Sequence, residues 1–121
     1  MKICITAQGN DLEAQVDPRF GRCQYFFMVD TDTMEADVLE NPNKEGMGGV
    51  GVQAGQLMAD KQVKAVLTGN VGPNAFQTLQ AAGIDVFSGI SGKVGDVIEK
   101  YKKGDFKSTQ GPNVDPHFGT S

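Results

Sequence analysis

Val63-Lys64-Ala65-Val66-Leu67-Thr68-Gly69-Asn70-Val71-Gly72-Pro73-Asn74-Ala75-Phe76-Gln77-Thr78-Leu79-Gln80-Ala81-Ala82-Gly83-Ile84-Asp85-Val86-Phe87 is the stretch that decides the fold class. Its first five residues form a short apolar, β-branched run and read as a buried strand. Thr68 to Asn74 is a turn. Ala75 to Ala82 then reads as a helix with Phe76 and Leu79 facing inward, closed by Gly83. Ile84 to Phe87 is a second strand of the parallel type, so the stretch is a βαβ unit. Working outward, Val94, Val97, Ile98 and Tyr101 follow at i, i+3, i+4 and i+7, the spacing of one helix face. Upstream, Gly46 to Gly49 leads into a helix with Val50, Ala54, Leu57 and Met58 near one face. Before it, Tyr25 to Val29 and Ala36 to Leu39 flank the turn Asp30-Thr31-Asp32-Thr33 and read as a hairpin that Asn41-Pro42-Asn43 ends. Ile3 to Ala7 is the first strand, and Gln8 to Cys23 is a long aperiodic loop.

The order β, long loop, hairpin, α, β, α, β, α predicts an α/β fold, a mixed five-stranded sheet flanked by helices. If the first strand pairs antiparallel with the second and the third pairs with the second, the loops at 8–23, 40–49, 68–74 and 88–93 share one sheet edge. Ligands of open α/β sheets bind at such an edge. Three unusual loops are therefore expected to converge on one cleft.

The chain of 121 residues is one domain's worth, with residues 1–103 expected as the domain and 104–121 as a polar tail whose order the sequence leaves open. Eleven Lys+Arg against fifteen Asp+Glu give a net charge of −4, which disfavours nucleic acid and anionic membrane as partners. Both arginines, Arg19 and Arg22, fall in the first long loop. Of the 16 glycines, seven lie between Gly46 and Gly72, where backbone approaches something closely. Cys4 and Cys23 make no Cys-x-x-Cys motif and no disulfide framework, and no apolar run approaches membrane-spanning length, so a soluble cytoplasmic protein is expected.

Gly46-Met47-Gly48-Gly49-Val50-Gly51 matches G-x-G-x-x-G, yet five residues separate it from the preceding strand and no ribose-binding acid follows the next one. It reads as a turn before a helix, or as an anion site at that helix start. A Gly-Lys-Ser/Thr phosphate loop is absent, and no carboxylate sits on the first strand to hold the metal pair of a nuclease. No nucleophile is visibly paired with a base, so the chain is not read as an enzyme. Asp17-Pro18-Arg19-Phe20-Gly21-Arg22-Cys23 carries two permanent cations and a thiol. It supports either an anion site or a local Asp17–Arg19 pair with Phe20 and Cys23 buried. Val114-Asp115-Pro116-His117-Phe118-Gly119 echoes Val16 to Gly21 in five of six residues, and its His117 is the sole histidine.

Asp17 to Arg22, the Gly46 to Gly51 loop, and Thr68 to Phe76 followed by Ala81-Ala82-Gly83-Ile84 together resemble the dinitrogenase iron-molybdenum cofactor biosynthesis family, over about residues 1 to 103. Its members include NifX-like proteins, the C-terminal domain of NifB-like proteins and the small orange protein of anaerobic bacteria. The resemblance implies a three-layer, ribonuclease H-like sheet with helices on both faces and no nuclease activity. It implies non-catalytic binding or carriage of an anionic metal-sulfur cluster containing molybdenum. In nitrogenase-linked members that is the iron-molybdenum cofactor or its precursor; in the orange protein it is a molybdenum-copper sulfide held without covalent attachment.

On that reading Arg19 and Arg22 offset cluster charge, and N–H groups of Gly48, Gly49, Asn70 and Gly72 face the sulfides. Phe20, Gly21, Pro73 and Asn74 complete the lining, and Met47, Cys23 or His117 approaches a soft metal. Two departures stand out: there is no Cys- or His-rich ligand set, and the family's Gly-Gly after the fourth strand is Gly69-Asn70 here. The expected partners are the cluster and nitrogenase assembly proteins or a partner ATPase, with the chain a monomer or weak dimer. The alternative is a regulatory or scaffold module that binds a partner protein or a small phosphate-bearing ligand at the same cleft.

Overall fold

Alternation along the central strands divides the apolar side chains into two cores, one on each face of a single sheet. The computed structural model describes residues 1–109 and Gly111. In chain order the elements are β1 (Lys2–Ala7), β2 (Tyr25–Asp30), β3 (Ala36–Glu40), α1 (Val50–Asp60), β4 (Ala65–Leu67), α2 (Pro73–Ala81), β5 (Asp85–Phe87) and α3 (Val94–Lys102). The sheet order is β3-β2-β1-β4-β5. β2 is antiparallel to β1 and β3 to β2, while β4 and β5 continue in parallel from β1.

Because side chains alternate across a strand, Cys4, Phe26, Met28, Val66 and Val86 face α1 and α2, joining Met58, Phe76 and Leu79. Ile3, Ile5, Phe27, Val29, Leu67 and Phe87 face α3, joining Val94, Val97 and Ile98. This is the expected three-layer arrangement. No helix among the described residues is long and apolar enough to cross a membrane.

Strands β4 and β5 begin later than periodicity alone suggests, because the residues before them close helices. Val63 N–H bonds to Met58 O at 3.0 Å and Gln62 N–H to Ala59 O at 3.0 Å, a left-handed cap with Gln62 at φ 62°. Ile84 and Gly83 repeat the pattern on Leu79 and Gln80, both at 3.0 Å, with Gly83 at φ 74°. The cap residues therefore belong to helix ends before the strands start. Helix α2 starts earlier than expected, since Pro73 fits its first turn.

After α3 the chain returns along β5. Phe106 packs on the α3-side core, Thr109 N–H bonds to Val86 O at 2.6 Å, and Ser88 N–H bonds to Thr109 Oγ1 at 2.8 Å. This covers an edge strand that would otherwise present open backbone groups.

Candidate functional site

The loop between β1 and β2 is held from beneath by a buried polar network. Thr6 and Thr68, at the carboxyl ends of β1 and β4, share a hydroxyl hydrogen bond of 2.7 Å, and Thr6 Oγ1 donates to Asp17 O at 2.8 Å. Asp17 is fully buried. Its carboxylate accepts from Arg19 N–H at 3.0 Å, Arg19 Nε at 3.3 Å, Arg19 Nη2 at 3.4 Å and Gln24 N–H at 3.1 Å. Arg19 thus stands at the edge in a fixed pose with its side chain 54% exposed. Phe20 turns inward, edge-on to Phe26 at 6.2 Å.

Backbone contacts join this loop to its neighbours. Asn70 N–H bonds to Pro18 O at 2.7 Å and Phe20 N–H to Asn70 O at 3.3 Å, a short parallel bridge. Gly69 makes the bridge feasible, since a Cβ there would lie 2.6 Å from Pro18 Cα. A Cβ on Gly21 would lie 2.9 Å from Gly51, and one on Gly51 would lie 3.0 Å from the Ala75 methyl. The Arg loop, the start of α1 and the start of α2 are therefore stacked at contact distance. Gly55, one turn on, sits where a Cβ would meet the Thr78 side chain at 2.7 Å. Gly51 and Gly55 thus let α1 and α2 pack closely side by side.

Each of these helices runs back against the strands, so both N-termini open at the same edge. Neither is capped by a side chain: the residues before them are Gly49 and Gly72. Uncapped first-turn N–H groups and aligned dipoles attract anions. The Gly-rich loop beside them is latched by two side chains. Arg22 Nη1 donates to Gly46 O at 2.9 Å and Lys44 O at 3.3 Å. Asn41 Nδ2 donates to Cys23 O at 3.0 Å and Gly21 O at 3.1 Å, while its Oδ1 accepts from Asn43 N–H at 3.0 Å. At the loop's tip Met47 is fully exposed, with Gly48 and Gly49 open beside it.

The three loops meet, at an open edge rather than in the expected cleft. Two cavities elsewhere, of about 450 Å³ beside Phe87 and Tyr101 and about 410 Å³ beside Met28 and Lys61, are lined by none of their residues. Arg19, Met47, Gly48, Gly49, Asn70 and Asn74 are exposed there, with Gly21, Gly72 and Pro73 half-buried between them. Four expectations change. Phe20 belongs to the core; Arg22 is engaged by loop carbonyls; Asn70 N–H is taken by Pro18; and Cys23 is buried, with burial first and Asp17 second pushing its thiol up. His117 lies outside the described residues. Thr6, Asn41 and Thr68 also organise the edge, and no motif marks them, since Asn41-Pro42-Asn43 reads only as the end of the hairpin.

The model of the dinitrogenase iron-molybdenum cofactor family matches residues 1–104. The chain belongs to that family. The apo form of the orange protein from Desulfovibrio gigas is 39% identical, with a TM-score of 0.90 over 93% of this chain and 95% of that one. A NifB-like protein from Thermotoga is 34% identical, with a TM-score of 0.77 over 88% of this chain and 91% of that one. An uncharacterized protein of Methanocaldococcus jannaschii is 32% identical over 107 residues, 86% of this chain and 87% of its own.

The family's name directs attention to what the edge offers a metal cofactor. Among the described residues no group of three or more His, Cys, Asp or Glu is placed to hold a metal ion. Both thiols are buried and held protonated by that burial. The donors present among the described residues are backbone N–H groups, a guanidinium, the side-chain amides of Asn70 and Asn74, and the Met47 thioether. That set suits the outer surface of an anion, such as the sulfides of a cluster, better than a bare cation.

Proposed function

We propose that this protein binds and carries an anionic metal-sulfur cluster as cargo, without catalysing its conversion. The cluster class is the iron-molybdenum cofactor, its precursor or a molybdenum-copper sulfide, seated against Arg19, Met47, Gly48, Gly49, Gly72, Pro73 and Asn74. The observation that carries this reading is the pair of parallel helix N-termini, capped by no side chain, that open side by side at one edge. Family membership and the likeness to the orange protein support the same cargo class.

Arg19 adds directional donors, although the buried Asp17 offsets much of its charge. Attraction therefore rests chiefly on the helix ends, with Arg19 as an orienting group. Arg22 and Asn41 act one step back by holding the Gly-rich loop against the Arg loop. Thr6, Thr68 and Asp17 hold the Arg loop on the strand ends. Such a seat binds without covalent attachment and can release its cargo, as a carrier must.

The test is reconstitution of the full chain with tetrathiomolybdate and copper, or with isolated iron-molybdenum cofactor, followed by gel filtration. A coloured complex of fixed stoichiometry is expected, weakened roughly tenfold in Arg19→Ala by loss of a charge-assisted donor. A protein fraction without colour from every cluster tried would defeat the carrier reading. Thermal stabilisation by phosphates or nucleotides but not by thiomolybdates would instead favour the small-ligand regulatory module.

A further inference from the structure

The two edges of the sheet are finished differently. Along β5 the returning chain takes up Val86 O through Thr109 N–H at 2.6 Å. Beyond β3 no strand follows among the described residues. The way β3 points its backbone groups follows from its ladder. Glu35 O accepts from Asp30 N–H at 2.9 Å and Asn41 N–H donates to Gln24 O at 2.9 Å, so both ends of the hairpin are hydrogen-bonded pairs. The register between them is unbroken, from Ala36 opposite Val29 to Glu40 opposite Tyr25. Bonded and non-bonded pairs alternate in an antiparallel ladder. Residues 35, 37, 39 and 41 therefore bond to β2, while Ala36, Val38 and Glu40 turn their N–H and C=O groups outward.

That row is a template for one more strand. β3 holds no proline, lysine or bulge, the usual means of blunting an edge. Val38 and Leu39 are half-buried and pack against opposite cores, so an added strand would extend apolar surface on both faces. The charges select the partner. Glu35 and Asp37 are exposed and make no ion pair among the described residues, while Glu40 is held by Lys44 at 2.9 Å. Two copies of a chain with a net charge of −4 would bring these carboxylates together, which disfavours pairing of β3 with itself. We propose that the outer edge of β3 is a docking surface for an extended, basic segment of a partner protein. The segment joins the sheet as a sixth strand, with apolar residues beside Val38 and Leu39 and Lys or Arg beside Glu35 and Asp37. β3 ends at Asn41, whose amide holds Gly21 O and Cys23 O. A docked partner therefore lies next to the edge where the three loops meet, whatever that edge binds.

The test titrates the ¹⁵N-labelled full chain, without any cluster, with the end-blocked peptide Lys-Val-Val-Lys-Thr-Lys. Its antiparallel register puts the first lysine opposite Glu40, the second opposite Asp37 and the last opposite Glu35. Saturable shifts are expected at residues 35–40, with slowed hydrogen exchange at the Ala36, Val38 and Glu40 amides. Methylating the backbone nitrogen of the peptide's second valine, which faces Val38, should weaken binding roughly tenfold by removing a ladder bond. Asp37→Lys should weaken it as well and leave the rest of the spectrum in place. No shift at millimolar peptide, shifts centred away from β3, or equal binding of the methylated peptide each overturns the proposal. So does concentration-dependent broadening at β3 in the protein alone, with a dimer in sedimentation, since the edge then serves a second copy.

Discussion

Asp17 carries four accepted hydrogen bonds on a carboxylate with no exposed surface, and three of them come from Arg19. The sequence shows the two residues close together and leaves open whether they serve an anion or each other; the geometry answers that Asp17 serves Arg19. Arg22 differs, because its partners are carbonyls of residues 44 and 46, and a carbonyl leaves no trace in a residue pattern. Arg22→Ala should cost about 1–2 kcal/mol in urea denaturation, through two carbonyls left without their charged donor. It should also weaken cluster retention by loosening the Gly-rich loop. Unchanged stability would mean that the latch is not formed in solution. The residue pattern fits Cys23 equally as ligand and as core residue, and its neighbours, the Asn41 amide and the core around Phe20, place it in the core.

Helices α1 and α2 are brought together by small residues on one face of α1, and this contact sets the spacing of the two N-termini. Gly51→Ala adds a methyl 3.0 Å from the Ala75 methyl. It should destabilise the fold by about 1–2 kcal/mol and reduce cluster affinity, as the helices part or slide. Full affinity in a folded Gly51→Ala protein would show that the spacing is unimportant. The opposite end of α1 offers a control. Gln62 holds a left-handed conformation at φ 62° that glycine adopts without strain. Gln62→Gly should therefore raise stability by about 0.5–1 kcal/mol and leave binding untouched. At this scale most of the sequence was readable, since strand alternation and the Val94-Val97-Ile98-Tyr101 face follow from burial on one side. The cap at Gln62 was not, because nothing marks a left-handed residue when it is not glycine.

Across the whole molecule, a globally acidic chain with a net charge of −4 presents helix N-termini and an arginine at one edge. The shared edge of these loops was legible from element order once the first strand was taken to pair antiparallel with the hairpin, since the later βαβ strands then run parallel to it; the order β3-β2-β1-β4-β5 comes from the structure. What periodicity could not supply was how the loops are stitched, since Gly69 on Pro18 and Gly21 on Gly51 are contacts of backbone with backbone.

The two buried thiols also give the molecule a pH signature. Burial raises both above their ordinary value of 9.0. The unfolded chain then loses these protons first as pH rises, and binds fewer protons than the native state. Their contribution is complete below about pH 8.5 and declines above it. Thermal midpoints should fall from about pH 9 upward, and thiol reagents should label neither cysteine until the chain unfolds. Rapid labelling of Cys23 in native protein would contradict its burial.

The central claim is that the anion sits on two helix starts, and an amide-resolved NMR titration of the ¹⁵N-labelled full chain with tetrathiomolybdate tests it most directly. The expected result is saturable shifts at Gly48, Gly49, Val50, Gly51, Asn74 and Ala75 and at the Arg19 side chain, with residues around Lys2 and Lys61 unmoved. Shifts confined to that opposite edge, or none at saturating ligand, would contradict the account.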